Sequence, residues 1–292
     1  MSERWQKTGG ELEYFSRLWS QRSAGPVDHS SEIWDKRAER WIANLETEPG
    51  KTARKQRIRT LAAQLRARGL LGSDQTVADI GCGPGLFVLE FARTARQAVG
   101  IDYSERFLRH GKQLAEEWNL PNAQFLRHDF LALDIEKEGL ARAFDLVFTC
   151  LTPAATGAGS LEKLMCMSRG SCCNTTIVHA EDSLAEQVMR DVYGEELNSR
   201  WDGRSFFTLA NLLWLQGYYP ETFYYDDVRD ETVIPDRHWA KKIAAYCGKK
   251  EQEDIDRIEE YLNGRGEWPR HSASRYGSIL WQVNRKDRRG SI

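Results

Sequence analysis

The ten residues 76–85, Thr-Val-Ala-Asp-Ile-Gly-Cys-Gly-Pro-Gly, have the types and spacing best suited to chemistry in this chain. Val77, Ala78 and Ile80 read as a short buried strand. Gly81, Gly83 and Gly85 read as a turn, and Leu86 to Thr94 as the helix that follows. Glycine is required where the backbone takes a positive φ or must approach a ligand more closely than a Cβ allows. A strand, such a turn and a helix N-terminus together form a nucleotide-binding arrangement. A second apolar run, Ala98 to Ile101, ends in Asp102, 17 residues after Gly85. A carboxylate at the carboxyl end of the neighbouring strand can accept both hydroxyls of a ribose. A third run, Phe125-Leu126-Arg127-His128-Asp129, supplies another acid at a strand end. The glycine spacing is G-x-G-x-G, not the G-x-G-x-x-G of a helix that cradles a pyrophosphate.

In these three ordered pieces the chain resembles the class I S-adenosylmethionine-dependent methyltransferases. The resemblance implies that the turn Asp79, Gly81, Cys82, Gly83 and Gly85 holds the amino-acid end of the cofactor. Asp102, with Tyr103 beside it, would hold the ribose. Asp129 would contact the adenine amino group, with His128 in the adenine wall, and Phe130 is also expected to bind the cofactor. Trp-Asp-Lys-Arg-Ala at 34–38 is similar to the N-terminal segment that closes over the cofactor in small-molecule members. Trp34 then has a cation–π reason to lie near a sulfonium. The implied fold is a doubly wound, seven-stranded, mostly parallel sheet ending in an antiparallel hairpin.

The surrounding pattern suits that fold. Strands are expected at 76–80, 97–101, 123–127, 144–150 and 174–179. Helices are expected at 86–94, 104–118 and 160–168, and such alternation implies right-handed crossovers and a sheet covered on both faces. Helices at 182–197 and 208–216 and a strand at 218–225 follow. The last strand, 278–283, lies about 50 residues further on, where hairpin loops usually run 2–5. That gap, about 228–275, is expected to be a helical insertion with helices near 235–247 and 251–262. Ahead of the core, Glu11 to Gln21, Ser31 to Leu45 and Thr52 to Leu70 read as helices, the first two separated by Ser23-Ala24-Gly25-Pro26. The expected domains are an N-terminal helical lid over 1–50 and the cofactor-binding domain over 51–292. Aromatic residues crowd the first 45 positions and 201–225, and most are expected to be core.

Ligands of open α/β sheets sit outside the carboxyl ends of the strands. The acceptor is therefore expected near Cys150-Leu151-Thr152-Pro153-Ala154. In methyltransferases acting on planar amines this place carries a D/N-P-P-Y/F motif. Here Pro153 is flanked by Thr152 and Ala154, which disfavours a nucleobase amine. Thr152 and Pro153 are expected at the acceptor, in an enclosed pocket with His179. His179, followed by Glu181 and Asp182, is the best-placed general base if the acceptor must lose a proton.

The formal charge of −2, from 41 basic and 43 acidic side chains, supplies no global field to draw in nucleic acid. Lys51 to Arg68 is locally basic, which a phosphate backbone could use. Six cysteines without a C-x-x-C pair and an N-terminus lacking an apolar run fit a reduced, cytoplasmic protein with no metal site. No stretch is long and apolar enough to cross a membrane. The expectation is methyl transfer to a small-molecule acceptor, by a monomer or homodimer. The alternatives are an RNA- or protein-modifying methyltransferase, or a non-catalytic S-adenosylmethionine-binding protein.

Overall fold

The computed structural model describes residues 9–21, 31–45, 50–157, 159–197, 203–249 and 251–284. The breaker stretch at 23–26, Trp5 and Trp201 lie outside them. Along the chain run α1 (Gly9–Gln21), α2 (Ser31–Leu45), α3 (Gly50–Ala67), β1 (Thr76–Ile80), α4 (Leu86–Ala92) and β2 (Gln97–Asp102). Then come α5 (Glu105–Glu117), β3 (Ala123–Arg127), β4 (Phe144–Cys150), α6 (Ser160–Met167) and β5 (Ser168–Asp182). The chain continues with α7 (Ser183–Val188), a π turn (Met189–Tyr193), α8 (Arg204–Leu215), β6 (Glu221–Val233), α9 (Arg237–Tyr246), α10 (Gln252–Asn263) and β7 (Trp268–Gln282).

The seven strands form one sheet in the order β3-β2-β1-β4-β5-β7-β6. β1 to β5 are parallel. β1 is buried along its whole length because helices cover both faces. β7 is antiparallel to β5, as the cross-strand pairs descend: Thr175 Oγ1 lies 2.8 Å from Ser278 Oγ, and Val283 N donates to Gly170 O at 2.9 Å.

The chain divides into two compact units. The first holds residues 1–176, 205–225 and 277–292, with the sheet and its flanking helices. Its apolar side chains fall into two clusters. One gathers Ile80, Ile101, Val147, Met167, Leu213 and Trp281. The other gathers Leu61, Leu65, Val88, Phe91, Leu146 and Phe148. Trp19 of α1 is 4% exposed and donates its indole N–H to Ser160 Oγ at 3.3 Å. The second unit holds 177–204 and 226–276, built round Leu184, Val188, Ile243, Ile258, Leu262 and Trp268.

Several sequence expectations need correction. β5 is 15 residues long and starts at Ser168, where the sequence reading begins at 174. The stretch expected as one helix over 182–197 is a six-residue helix and a π turn. β6 runs to Val233 and β7 begins at Trp268, so the insertion is strand at both ends and helical only between them. These strand ends carry no apolar alternation. They pair through charge instead: Arg275 grips Asp226 at 2.7 and 2.9 Å, His271 meets Asp230 at 2.8 Å, and Arg270 meets Glu231. The aromatic crowd is also less buried than expected, since Trp41, Phe207, Trp214 and Tyr224 are exposed.

Candidate active site

Strand β1 delivers Asp79 and the glycine turn to its carboxyl end, and β2 delivers Asp102. The three glycines of the turn all have positive φ, from +53° to +75°, but their missing side chains leave different spaces. A Cβ on Gly81 would fall 2.0 Å from Thr152 Oγ1, so the loop after β4 packs directly on the turn. A Cβ on Gly85 would fall 2.3 Å from the Phe125 ring, which also fills the space at Gly111. Only at Gly83 would a Cβ meet nothing within 4 Å, among these three. Gly81 and Gly85 are thus required by packing, whereas Gly83 opens onto free space.

The donors of the turn are used internally. Gly81 N and Cys82 N donate to Ile101 O at 2.8 and 3.2 Å, and Gly83 N donates to Asp102 Oδ2 at 2.8 Å. Asp102 Oδ1 accepts from Tyr103 N and Ser104 N at 2.8 and 2.9 Å. A carboxylate offers about four lone-pair sites, so Asp102 keeps acceptor capacity. Burial raises its pKa, the three N–H donors oppose that rise, and the charge of Asp35 adds to it.

Asp79 is 3% exposed, and its carboxylate has no hydrogen-bond donor among the described residues. Burial and the neighbouring charge of Asp102 hold its pKa well above the usual carboxylate range. A buried carboxylate in that state is stabilised by an arriving cation. An α-ammonium with an attached nucleoside answers both acids, and a narrow tail fits the space at Gly83. The residues therefore fit the cofactor. The same burial and both charges push the Cys82 thiol up, so it is neutral and packs rather than reacts.

The neighbouring loops complete the site. His128 N donates to Asp102 O at 3.0 Å, which ties the loop after β3 to the end of β2. Asp129 is exposed, and its Oδ1 accepts from Leu131 N at 3.0 Å. The ring of Phe130 is 3% exposed and lies in the core. Thr152 Oγ1 accepts from Ala154 N at 3.2 Å and caps a single 3₁₀ turn, Pro153–Ala155. Trp34 is half-buried on α2. His179 belongs to the second unit, where its exposed ring lies 3.6 Å from Glu181.

Some contributors escape sequence reasoning. Ser104 is fully buried, caps α5 through Phe107 N at 3.3 Å, and donates to Asp35 Oδ1 at 2.6 Å. Its capping role is readable from a serine ahead of an amphipathic helix, but its link to α2 is not. Lys163 donates to the carbonyls of Phe130, Leu131 and Leu133, which holds the loop after Asp129 in place. Leu151, just before Thr152, has φ +53°. A non-glycine residue there is a strained position of the sort that gathers at functional loops.

Residues 77–165 match the methyltransferase domain family. A 23S rRNA (uracil(1939)-C(5))-methyltransferase, RlmD, of Alcanivorax borkumensis is 32% identical over 96 residues, 32% of this chain and 21% of that protein. RlmD of Aeromonas hydrophila is 39% identical over 88 residues, 30% of this chain and 19% of that protein. The chain thus spans about a fifth of the length of the curated relatives it matches. Magnesium protoporphyrin IX methyltransferase (ChlM) from Synechocystis PCC 6803, solved with bound SAH, superposes with a TM-score of 0.51 at 14% identity. That match covers 85% of this chain and 97% of the other, and shows a shared fold.

Proposed function

With residues 77–165 a class I, S-adenosylmethionine-dependent methyltransferase domain, we propose that the protein methylates a small-molecule acceptor. The observation that carries the cofactor half of this reading is Asp79: a buried carboxylate without a donor, on the turn whose Gly83 leaves open space. When bound, the cofactor supplies an electrophilic methyl group on a sulfonium. Asp79 would hold its ammonium, Asp102 and Tyr103 its ribose, and His128 and Asp129 its adenine. The chain's remaining task is to orient an acceptor for in-line attack, which by itself lowers the barrier substantially. Thr152, packed on the cofactor turn, and Pro153, which follows it, are the proposed acceptor-side residues. His179 is the proposed base for acceptors that must lose a proton. The described parts of α1 and α2 are proposed to serve as a lid. A cytoplasmic location and a monomeric or homodimeric state belong to the same proposal.

The basic helix supports the small-molecule half. Arg54 donates to Leu45 O at 2.9 Å, Arg66 pairs with Glu90 at 3.1 Å, and Arg68 pairs with Glu221 at 2.7 Å while stacking on Phe223. Cations committed within the protein are poor trackers of a phosphate backbone. A second reading, methylation of RNA, is favoured by the RlmD likeness, although that likeness covers only about 90 residues of this chain.

The test follows S-adenosylhomocysteine formation with a metabolite extract and, separately, with ribosomal RNA fragments. Turnover with the extract and no salt-sensitive RNA binding at micromolar protein is the expected result. RNA binding that collapses with added salt, accompanied by RNA-dependent turnover, would replace the first reading with the second. No turnover on either, with the cofactor bound, would leave a binding protein.

A further inference from the structure

The second unit contains a pocket of its own, about 170 Å³ in volume, room for roughly six waters at ~30 Å³ each. Three cations face it, and two are already spent. Arg270, with a side chain 8% exposed, grips Asp182 at 2.6 to 3.1 Å and also pairs with Glu231. Arg229 holds Asp227 through two hydrogen bonds of 3.0 and 2.5 Å. The third, Lys242, is solvent-exposed at the pocket rim and has no ion pair and no hydrogen bond among the described residues. Its ammonium rests 4.0 Å from the centre of the Trp239 ring. Opposite α9, strand β7 contributes Ser272 and Ser274, which share a strand face. Neither hydroxyl takes part in a hydrogen bond among the described residues.

We infer that this pocket binds a small monocarboxylate with an aromatic or apolar body. Lys242 supplies the charge, Ser272 and Ser274 supply neutral donors, and Trp239, Tyr246 and Tyr276 supply apolar wall. Charge-assisted hydrogen bonds to a carboxylate are the strong ones available to such a site. Lys242 is the one lining cation without a carboxylate partner among the described residues, and Glu181, Asp182 and Asp227 in the same lining repel further negative charge, so the guest carries no more than one. Desolvation and the charge of Arg270 lower the pKa of Lys242, a bias that a bound anion would reverse. The inference uses residues of the second unit alone and does not depend on the methyl-transfer reading.

The experiment titrates benzoate into the full chain without S-adenosylmethionine, by calorimetry and by ligand-observed NMR. Benzyl alcohol and inorganic phosphate serve as the neutral and dianionic controls. Saturable benzoate binding is expected, at least tenfold tighter than either control and weakened at least tenfold in Lys242→Gln. A double Ser272→Ala, Ser274→Ala variant should weaken it several-fold, and keeps the test available should Lys242→Gln fail to fold. No saturable benzoate binding, equal binding of benzyl alcohol, tighter binding of phosphate, or an unchanged affinity in a folded Lys242→Gln protein would each overturn the inference.

Discussion

Gly83→Ala tests whether the open space on the turn belongs to the cofactor. Gly83 has φ +53°, and an added Cβ would meet no protein atom within 4 Å. The folded protein therefore faces only the strain of an L-residue in the left-handed region, about 1–2 kcal/mol. Gly139 provides an internal control. It has φ +66°, and its added Cβ likewise meets nothing within 4 Å. Gly139→Ala should lose the same ~1–2 kcal/mol of stability by chemical denaturation. If the space at Gly83 is the cofactor's, the two variants part company in calorimetry with S-adenosylhomocysteine. Gly139→Ala should bind as the parent does. Gly83→Ala should lose at least tenfold in affinity, about 1.4 kcal/mol. Parental affinity in a folded Gly83→Ala protein would refute the reasoning, because the methyl group would then occupy space that no ligand needs. Equal loss in both variants would place the effect in stability, not in the turn.

Three further outcomes are expected. Asp102→Asn removes a charged acceptor that also holds Gly83 N, and cofactor affinity should fall by about 1.5–3 kcal/mol; unchanged calorimetric affinity would remove Asp102 from the site. Asp145 is held at a pKa of about 2, first by Arg169 and also by Thr76. Because its folded value lies below the unfolded one, it stabilises the protein above about pH 4, and that contribution is lost as pH falls from there to about 2. Solvent screening reduces the effect to about 1 kcal/mol, and denaturation curves of Asp145→Asn should flatten across that window if the assignment holds. Asp35→Ala removes the bond to Ser104 at the head of α5, so α2 should become more open to protease with the sheet still protected; an unchanged digestion pattern would count against α2 as a hinged cover.

Much of the first unit is legible in the sequence, for a physical reason. Parallel strands buried on both faces must be apolar runs, and helices that cover them must repeat their apolar residues every three to four positions. Val77 to Ile80, Val99 to Ile101 and Phe107 to Ala115 therefore announce their own burial, and the acids at the strand ends follow from the topology. The second unit is a different case. The far ends of β6 and β7 are joined by Asp226–Arg275, Asp230–His271 and Glu231–Arg270, and a ladder of charges has no apolar period to read. The part played by each glycine is likewise invisible in G-x-G-x-G. Whether a missing Cβ makes room for Thr152, for Phe125 or for a ligand depends on residues 40 to 71 positions away in the chain. The sequence by itself determined which residue types stand along the strands and at their ends, and the chemistry they offer. Tertiary structure alone decided that Asp79 is buried without a donor, that Gly83 is the open position, and that Lys242 faces a pocket with its charge uncommitted, because each of these is a relation between segments that no local pattern encodes.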